Sequence, residues 1–157
     1  MGQEIERKFL VTRDTWRIGA GTKIRQGYLN NEIEGIVRVR TKGDRAYMTI
    51  KGITTGITRL EFEYEIPVED ADQILDKLCI KPLIEKIRYD VQVGGLKWEV
   101  DEFLGENSGL IIAEIELEDE DQEFTKPDWL GREVSGDFRY HNANLVKYPY
   151  SKWGKIR

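Results

Sequence analysis

Thiol and imidazole are almost missing from this chain: one cysteine, Cys79, and one histidine, His141, stand among 157 residues. A single thiol excludes an intrachain disulfide, and one residue of each kind excludes a Cys/His cluster with zinc spacing. Both absences suit a reducing cytoplasm. No basic-then-apolar segment opens the chain, and no run approaches the ~18 apolar residues of a membrane span. A soluble cytoplasmic protein without a membrane partner is therefore expected. Excess positive charge is missing too, since 24 Lys and Arg against 29 Asp and Glu leave −5. That balance excludes a globally basic nucleic-acid binder and makes any anion site local.

What is present is a polar but foldable composition, with 34% charged and 39% hydrophobic residues, and a length that suits one domain over 1–157 with a real core. Eight stretches alternate in the manner of strands: 4–11, 22–30, 35–43, 45–52, 58–67, 85–93, 96–103 and 110–118. Short Gly-containing links at 42–45, 93–96 and 105–109 favour antiparallel hairpins. Helices are expected near 13–18, over 68–78 with Asp70 or Asp72 as N-cap, around 128–134 and over 135–148. The class is mainly β, and eight antiparallel strands fit a closed barrel or a two-sheet sandwich.

Side chains two apart share a face of a strand, and here one face is charged while the other is apolar. Val37 and Val39 oppose Arg38 and Arg40; Phe62, Tyr64 and Ile66 oppose Glu61, Glu63 and Glu65; Trp98 and Val100 oppose Glu99 and Asp101. A solvated outer face would explain any one strand. Taken together, the signs are segregated. Glu4/Glu6, Glu61/Glu63, Glu99/Asp101 and Glu114/Glu116 are acidic pairs, whereas Arg38/Arg40 and Lys86/Arg88 are basic pairs.

Like charges at that spacing repel unless a ligand of opposite sign is bound. Carboxylates without thiolate or imidazole point to a hard cation such as Mg2+ or Mn2+. Rows of Arg and Lys point to a multivalent anion such as polyphosphate. If these faces line a lumen, the apolar outer faces need cover from the amphipathic helices, and a homodimer is the expected cover for what the helices leave bare.

The ordered motifs EIERK (Glu4, Glu6, Lys8), VRVR, TIKG, EFEYE, EKIRY, WEVDEF, GENSGLIIAEIEL and FRYHNANL span nearly the whole chain and resemble the CYTH superfamily, also called triphosphate tunnel metalloenzymes. The resemblance implies a single CYTH domain: an eight-stranded antiparallel closed β-barrel, helices packed outside, a C-terminal helix near one mouth, and a site with two Mg2+ or Mn2+ ions. It implies metal ligation by Glu4, Glu6, Glu61, Glu63, Glu114 and Glu116, with Glu4, Glu6, Lys8, Glu114 and Glu116 as the catalytic set. Lys8, Arg38, Arg40, Lys51, Lys86, Arg88 and Arg139 would hold the triphosphate. Tyr28, Glu99 and Asp101 fit tunnel support, the two acids either on metal or orienting Lys and Arg. Either Arg25 or Gln26 faces inward, and their parity does not choose. Glu65 and Glu118 lie toward strand ends, facing solvent, and His141 reads as a packed or surface residue.

The GEN-x-GL turn before AEIEL is most similar to the bacterial inorganic tripolyphosphatase branch. Hydrolysis of tripolyphosphate to pyrophosphate and phosphate by a metal-activated water is therefore the expected reaction. The same grip would serve a class IV-type adenylate cyclase, or a nucleoside or thiamine triphosphatase. A polyphosphate- or nucleotide-binding barrel is the non-enzymatic alternative, disfavoured because acidic walls repel a bare polyphosphate.

Overall fold

The structure, a computed structural model, describes residues 2–30, 32 and 34–155. Among them the chain forms nine strands: β1 (Gln3–Val11), β2 (Thr22–Tyr28), β3 (Ile36–Lys42), β4 (Arg45–Thr55), β5 (Thr58–Ile66), β6 (Ile84–Val93), β7 (Leu96–Phe103), β8 (Ile111–Leu117) and β9 (Leu130–Glu133). The helices are α1 (Val68–Lys77) and α2 (Asn142–Lys147), and three 3-10 segments accompany them at Gly105–Asn107, Phe138–Tyr140 and Tyr150–Lys155. None is long and apolar enough to cross a membrane.

The sheet runs β5-β4-β3-β2-β6-β7-β8-β1-β9, and β5 also pairs with β1, which closes eight strands into an antiparallel barrel. Two-residue turns join β3 to β4, β4 to β5 and β6 to β7. Between β6 and β7 both Gly94 and Gly95 have positive φ, a conformation that a two-residue hairpin loop requires and side chains resist.

β1 divides one of its edges. Gln3 to Ile5 pair with β5, whereas Phe9 and Val11 pair with β9. β5 begins at Thr58, opposite Ile5, so the rest of that edge of β1 needs another partner, and the 128–134 segment supplies it as strand β9 instead of the expected helix. Unpaired backbone is costly enough to override the local helical pattern.

The other expected helices are also corrected. Residues 13–18 form turns in which Trp16 is fully buried, donates its indole N–H to the Arg13 carbonyl at 2.6 Å and packs edge-on against Tyr89. Helix α1 starts after Pro67, with no side-chain cap, so Asp70 and Asp72 lie inside it. The 135–148 segment is broken at His141, whose ψ of 135° is extended, into a 3-10 turn over Phe138–Tyr140 and the short α2.

Alternation sends apolar side chains outward and charged ones into the lumen. Helix α1 covers Val39 and Ala46 with Ala71 and Leu75. Over β1 and β6 to β8 the cover comes from turns and loops, because Trp16, Phe124 and Trp129 pack around Phe9, Trp98 and Ile115. Ile50, Leu60, Phe62 and Tyr64, on the outer face of β4 and β5, remain between 41 and 59% exposed.

At one end the luminal rows change character. The inward positions continue as Leu10 after Lys8, Ile84 before Lys86, Phe103 after Asp101 and Ile112 before Glu114, and these pack with Tyr140, Leu145 and Val146 of the C-terminal segment. That end is therefore plugged by apolar contact. Trp98 anchors the opposite, outer cluster with no exposed surface. We expect Trp98→Ala to lower stability by ~3–5 kcal/mol in urea denaturation, as for other buried aromatics; a loss below ~1 kcal/mol would show that the loops do not form a packed cover.

Candidate active site

The lumen is a cavity of about 610 Å³. Arg38, Arg40 and Lys42 reach it from β3, Lys51 from β4, and Lys86 and Arg88 from β6. Facing them are Glu4 and Glu6 with Lys8 on β1, Glu61 and Glu63 on β5, Glu99 on β7, and Glu114 and Glu116 on β8. Every row follows from strand alternation, and the antiparallel register sets the levels: Glu6 lies opposite Glu116, Lys8 opposite Glu114, Glu99 opposite Glu114 and Lys51 opposite Glu61.

Part of the charge is already paired. Asp101, buried behind the lining, takes Arg88 through two bonds of 2.7 and 2.8 Å and Lys86 at 2.8 Å. These two cations hold its carboxyl, despite burial, far below the usual carboxylate range. Asp101 is thus the shared anchor that orients two basic side chains. Glu114 accepts from Lys8 and lies 3.4 Å from Arg88; although burial opposes ionisation, chiefly Lys8 holds it down at about 2. Glu63 takes the Thr49 hydroxyl at 2.9 Å and sits 3.4 Å from both Arg38 and Arg40.

The rest is under-compensated. Burial and then the charge of Glu114 push Glu6 up to about 7. Burial also raises Glu4, with Glu61 adding to the shift against the pull of Lys51, and raises Glu116, with Glu4 and Glu6 adding to it. On the basic wall, burial followed by Arg38 and Arg88 lowers Arg40 to about 10, and burial lowers Lys51 below its ordinary value; even Lys86, paired with Asp101, is lowered by burial to about 8. Two opposed walls, each pushed toward neutrality, suit a cation on one and an anion on the other.

Glu61 Oε2 is buried without a hydrogen-bond partner, an oxygen with spare capacity beside Glu4. Among the described residues no three His, Cys, Asp or Glu side chains form a ready cage. The donor set therefore fits a hard divalent ion that takes one or two carboxylates and completes its shell with water and substrate oxygens.

Of the residues expected from the sequence, the cavity gathers Glu4, Glu6, Lys8, Tyr28, Arg38, Arg40, Lys51, Glu61, Glu63, Lys86, Arg88, Glu99, Glu114 and Glu116. Arg139 is set apart. It lies outside the lining, paired with Asp137 at 2.7 Å and stacked over Trp153, because the helix broken at His141 leaves it on the outer side of the plug. Gln26 faces inward and is fully buried, whereas Arg25 points out toward Asp72. Glu65 and Glu118 are exposed, as their strand-end positions suggested. His141 packs edge-on against Phe138 and lines the cavity, and burial followed by Lys8 and Arg59 lowers it to about 4.

Sequence reading missed Lys42, Arg59 and Asn142, all of which line the cavity. Lys42 shares the parity of Arg38 and Arg40, and Arg59 that of Glu61 and Glu63, so both were within reach. Asn142, a lone polar residue on a short helix, carried no such signal.

A CYTH domain family profile matches residues 2–150. The chain is 58% identical over 154 residues to an inorganic triphosphatase of Acetivibrio thermocellus, covering 98% of this chain and 99% of that one. It is 37% identical over 149 residues to an inorganic triphosphatase of Nitrosomonas europaea, covering 91% and 96%. A solved crystal structure of an inorganic triphosphatase superposes with a TM-score of 0.64 at 35% identity, covering 91% of this chain and 93% of that one.

The raised Glu6 carboxyl has a consequence for stability. Its value lies at about 7 against 4.5 ordinarily, so between those values the folded chain binds more protons than the unfolded one. Its contribution is complete below the unfolded value and is lost as pH rises through the folded one. In EDTA, wild type is expected to lose stability relative to Glu6→Gln from about pH 5 to about pH 8, by on the order of 3 kcal/mol in urea denaturation. Parallel pH curves for the two proteins would contradict this.

Proposed function

The chain belongs to the CYTH domain family, and from that premise we propose that it is a metal-dependent triphosphatase that hydrolyses inorganic tripolyphosphate to pyrophosphate and phosphate. The observation that carries this reading is the opposition of an acidic and a basic wall across one cavity, in a chain similar along nearly its whole length to two inorganic triphosphatases.

In this reading Arg38, Arg40, Lys51, Lys86, Arg88 and Lys8 grip the triphosphate oxygens. Arg38 and Arg88 do so from buried positions where little reorganisation is needed. Asp101 keeps Lys86 and Arg88 in place. Glu4, Glu6, Glu61, Glu63, Glu114 and Glu116 form the wall that holds the metal, with Mg2+ or Mn2+ as the ions and two as the number. A bound ion of this kind neutralises charge on phosphoryl oxygens and makes water a stronger nucleophile at neutral pH. The apolar plug at one end limits water around the reacting phosphate.

A second reading draws on one feature. The cavity also reaches Ile53, Ile57 and Phe138, apolar side chains that an inorganic triphosphate does not use and the organic part of a nucleoside or thiamine triphosphate could contact. The acidic wall weighs against a polyphosphate-binding barrel without catalysis.

A cytoplasmic location is part of the proposal, supported by the free, buried Cys79. A homodimer is supported by the bare outer face of Ile50, Leu60, Phe62 and Tyr64. Sedimentation velocity is expected to give a dimer for wild type and a monomer for Phe62→Lys; a monomeric wild type would remove the dimer.

Phosphate release and product analysis with tripolyphosphate, ATP and thiamine triphosphate, in Mg2+, Mn2+ or EDTA, test the reaction. Metal-dependent phosphate from tripolyphosphate is expected to exceed that from ATP, and Glu4→Gln to remove most of it without unfolding the chain. Cyclic AMP with pyrophosphate would replace the reaction, and tight binding without turnover would leave a binding protein.

A further inference from the structure

At the plugged end of the lumen five side chains form a polar relay. Lys86, 2% exposed, places its ammonium 2.8 Å from Asp101 Oδ2 and 3.0 Å from Asn142 Oδ1. The Asn142 oxygen also lies 3.1 Å from Gln26 Nε2, and that nitrogen is 3.0 Å from Tyr28 Oη. Gln26 is fully buried, and its own Oε1 has no partner.

The direction of every bond follows from the lysine. An ammonium carries three donors and no acceptor, so Asn142 must offer its carbonyl oxygen. With that oxygen facing it, Gln26 must offer its NH2, one proton to Asn142 and the other to Tyr28. A reversed Gln26 amide would set two carbonyl oxygens against each other, which is why the buried Oε1 is the group left unpaired. Tyr28 Oη therefore accepts from Gln26 and keeps its own proton for another acceptor. Both Lys86 and Tyr28 line the cavity, so one N–H and one O–H remain for whatever anion lies there.

We propose that Asn142 is a positioning residue: by accepting from Lys86 and Gln26 at once, it orients the third Lys86 donor and the Tyr28 hydroxyl toward the triphosphate. Asn142 opens α2, which Leu145 and Val146 pack into the closed end together with Tyr140. The C-terminal segment thus does more than close the lumen, because its docking sets the polarity of two donors on β2 and β6. The inference rests on the triphosphatase reading.

The test is steady-state hydrolysis of tripolyphosphate in Mg2+ by wild type, Asn142→Leu and Asn142→Asp, with a melting temperature for each. Leucine matches the size of asparagine without an acceptor, whereas aspartate keeps the oxygen. Asn142→Leu is expected to lose at least about tenfold in kcat with KM within about threefold, and Asn142→Asp to keep kcat within about threefold of wild type. A merely structural asparagine would not produce that split or that rescue. Asn142→Leu with wild-type kcat, or Asn142→Asp as impaired as the leucine variant, overturns the role. If Asn142→Leu does not fold, Gln26→Met carries the test: a reduced kcat supports the relay and an unchanged one overturns it. A wild-type chain with no turnover fails differently, since it overturns the triphosphatase reading itself and this role with it.

Discussion

Charge carried into the interior of a β-barrel has to be compensated there, because the strands wall it off from much of the water that would otherwise screen it. Lys86 and Asp101 are almost wholly buried and Arg88 and Glu114 nearly so, and they meet the requirement among themselves. Asp101 takes two cations, and Glu114 takes Lys8 with Arg88 nearby. This knot ties the side chains of four consecutive strands, β6, β7, β8 and β1, together along one side of the barrel. It also fixes where the basic side chains stand before any ligand arrives, so the same contacts that stabilise the barrel preorganise the site.

Closure of the barrel is tied to the same strand. β1 pairs along one edge with β8 from Ile5 to Leu10 and divides the other edge between β5 and β9. Its luminal row, Glu4, Glu6, Lys8 and then Leu10, passes from the wet part of the cavity into the apolar plug. A tunnel that was charged along its full length would leave both ends open to water. The change to Leu10, Ile84, Phe103 and Ile112 gives the C-terminal segment a surface to bury, and that burial brings Asn142 over Lys86.

The luminal rows were legible in the sequence because a strand has a period of two, and that period survives whatever the neighbours do. Arg38 and Arg40, or Glu114 and Glu116, could be assigned to one face without knowing the partners. Elements whose conformation depends on distant partners were not legible. The 128–134 segment became a strand because β1 had an unpaired edge. Residues 13–18 became turns around Trp16 because Tyr89 offers it a packing partner, and Arg139 left the site because the helix breaks at His141. Gln26 and Asn142 declare themselves only through Lys86, which lies far from both in sequence. The apolar continuation of the rows was readable in principle, since Leu10 keeps the parity of Lys8, but a leucine on a charged face reads as noise until the plug that covers it is known.

Glu6 and Glu114 show why parity gives location and not state. They are the same residue type, on neighbouring strands, with Lys8 within reach of both. Lys8 lies closer to Glu114, which has Arg88 as well, whereas Glu6 lies 3.2 Å from Lys8 and has Glu114 and Glu4 as further charged neighbours. One carboxyl is therefore held near 2 and the other near 7. At neutral pH the first is an anion that any incoming cation would share with Lys8, and the second is poised between protonated and charged. A cation arriving in the lumen gains most where negative charge is least compensated, so Glu6 and its neighbour Glu4 are the carboxylates whose charge it would complete. No pattern of residue types could have separated the two, because the difference lies in which charges each carboxylate meets in the folded chain: Lys8 and Arg88 around Glu114, Glu114 and Glu4 around Glu6.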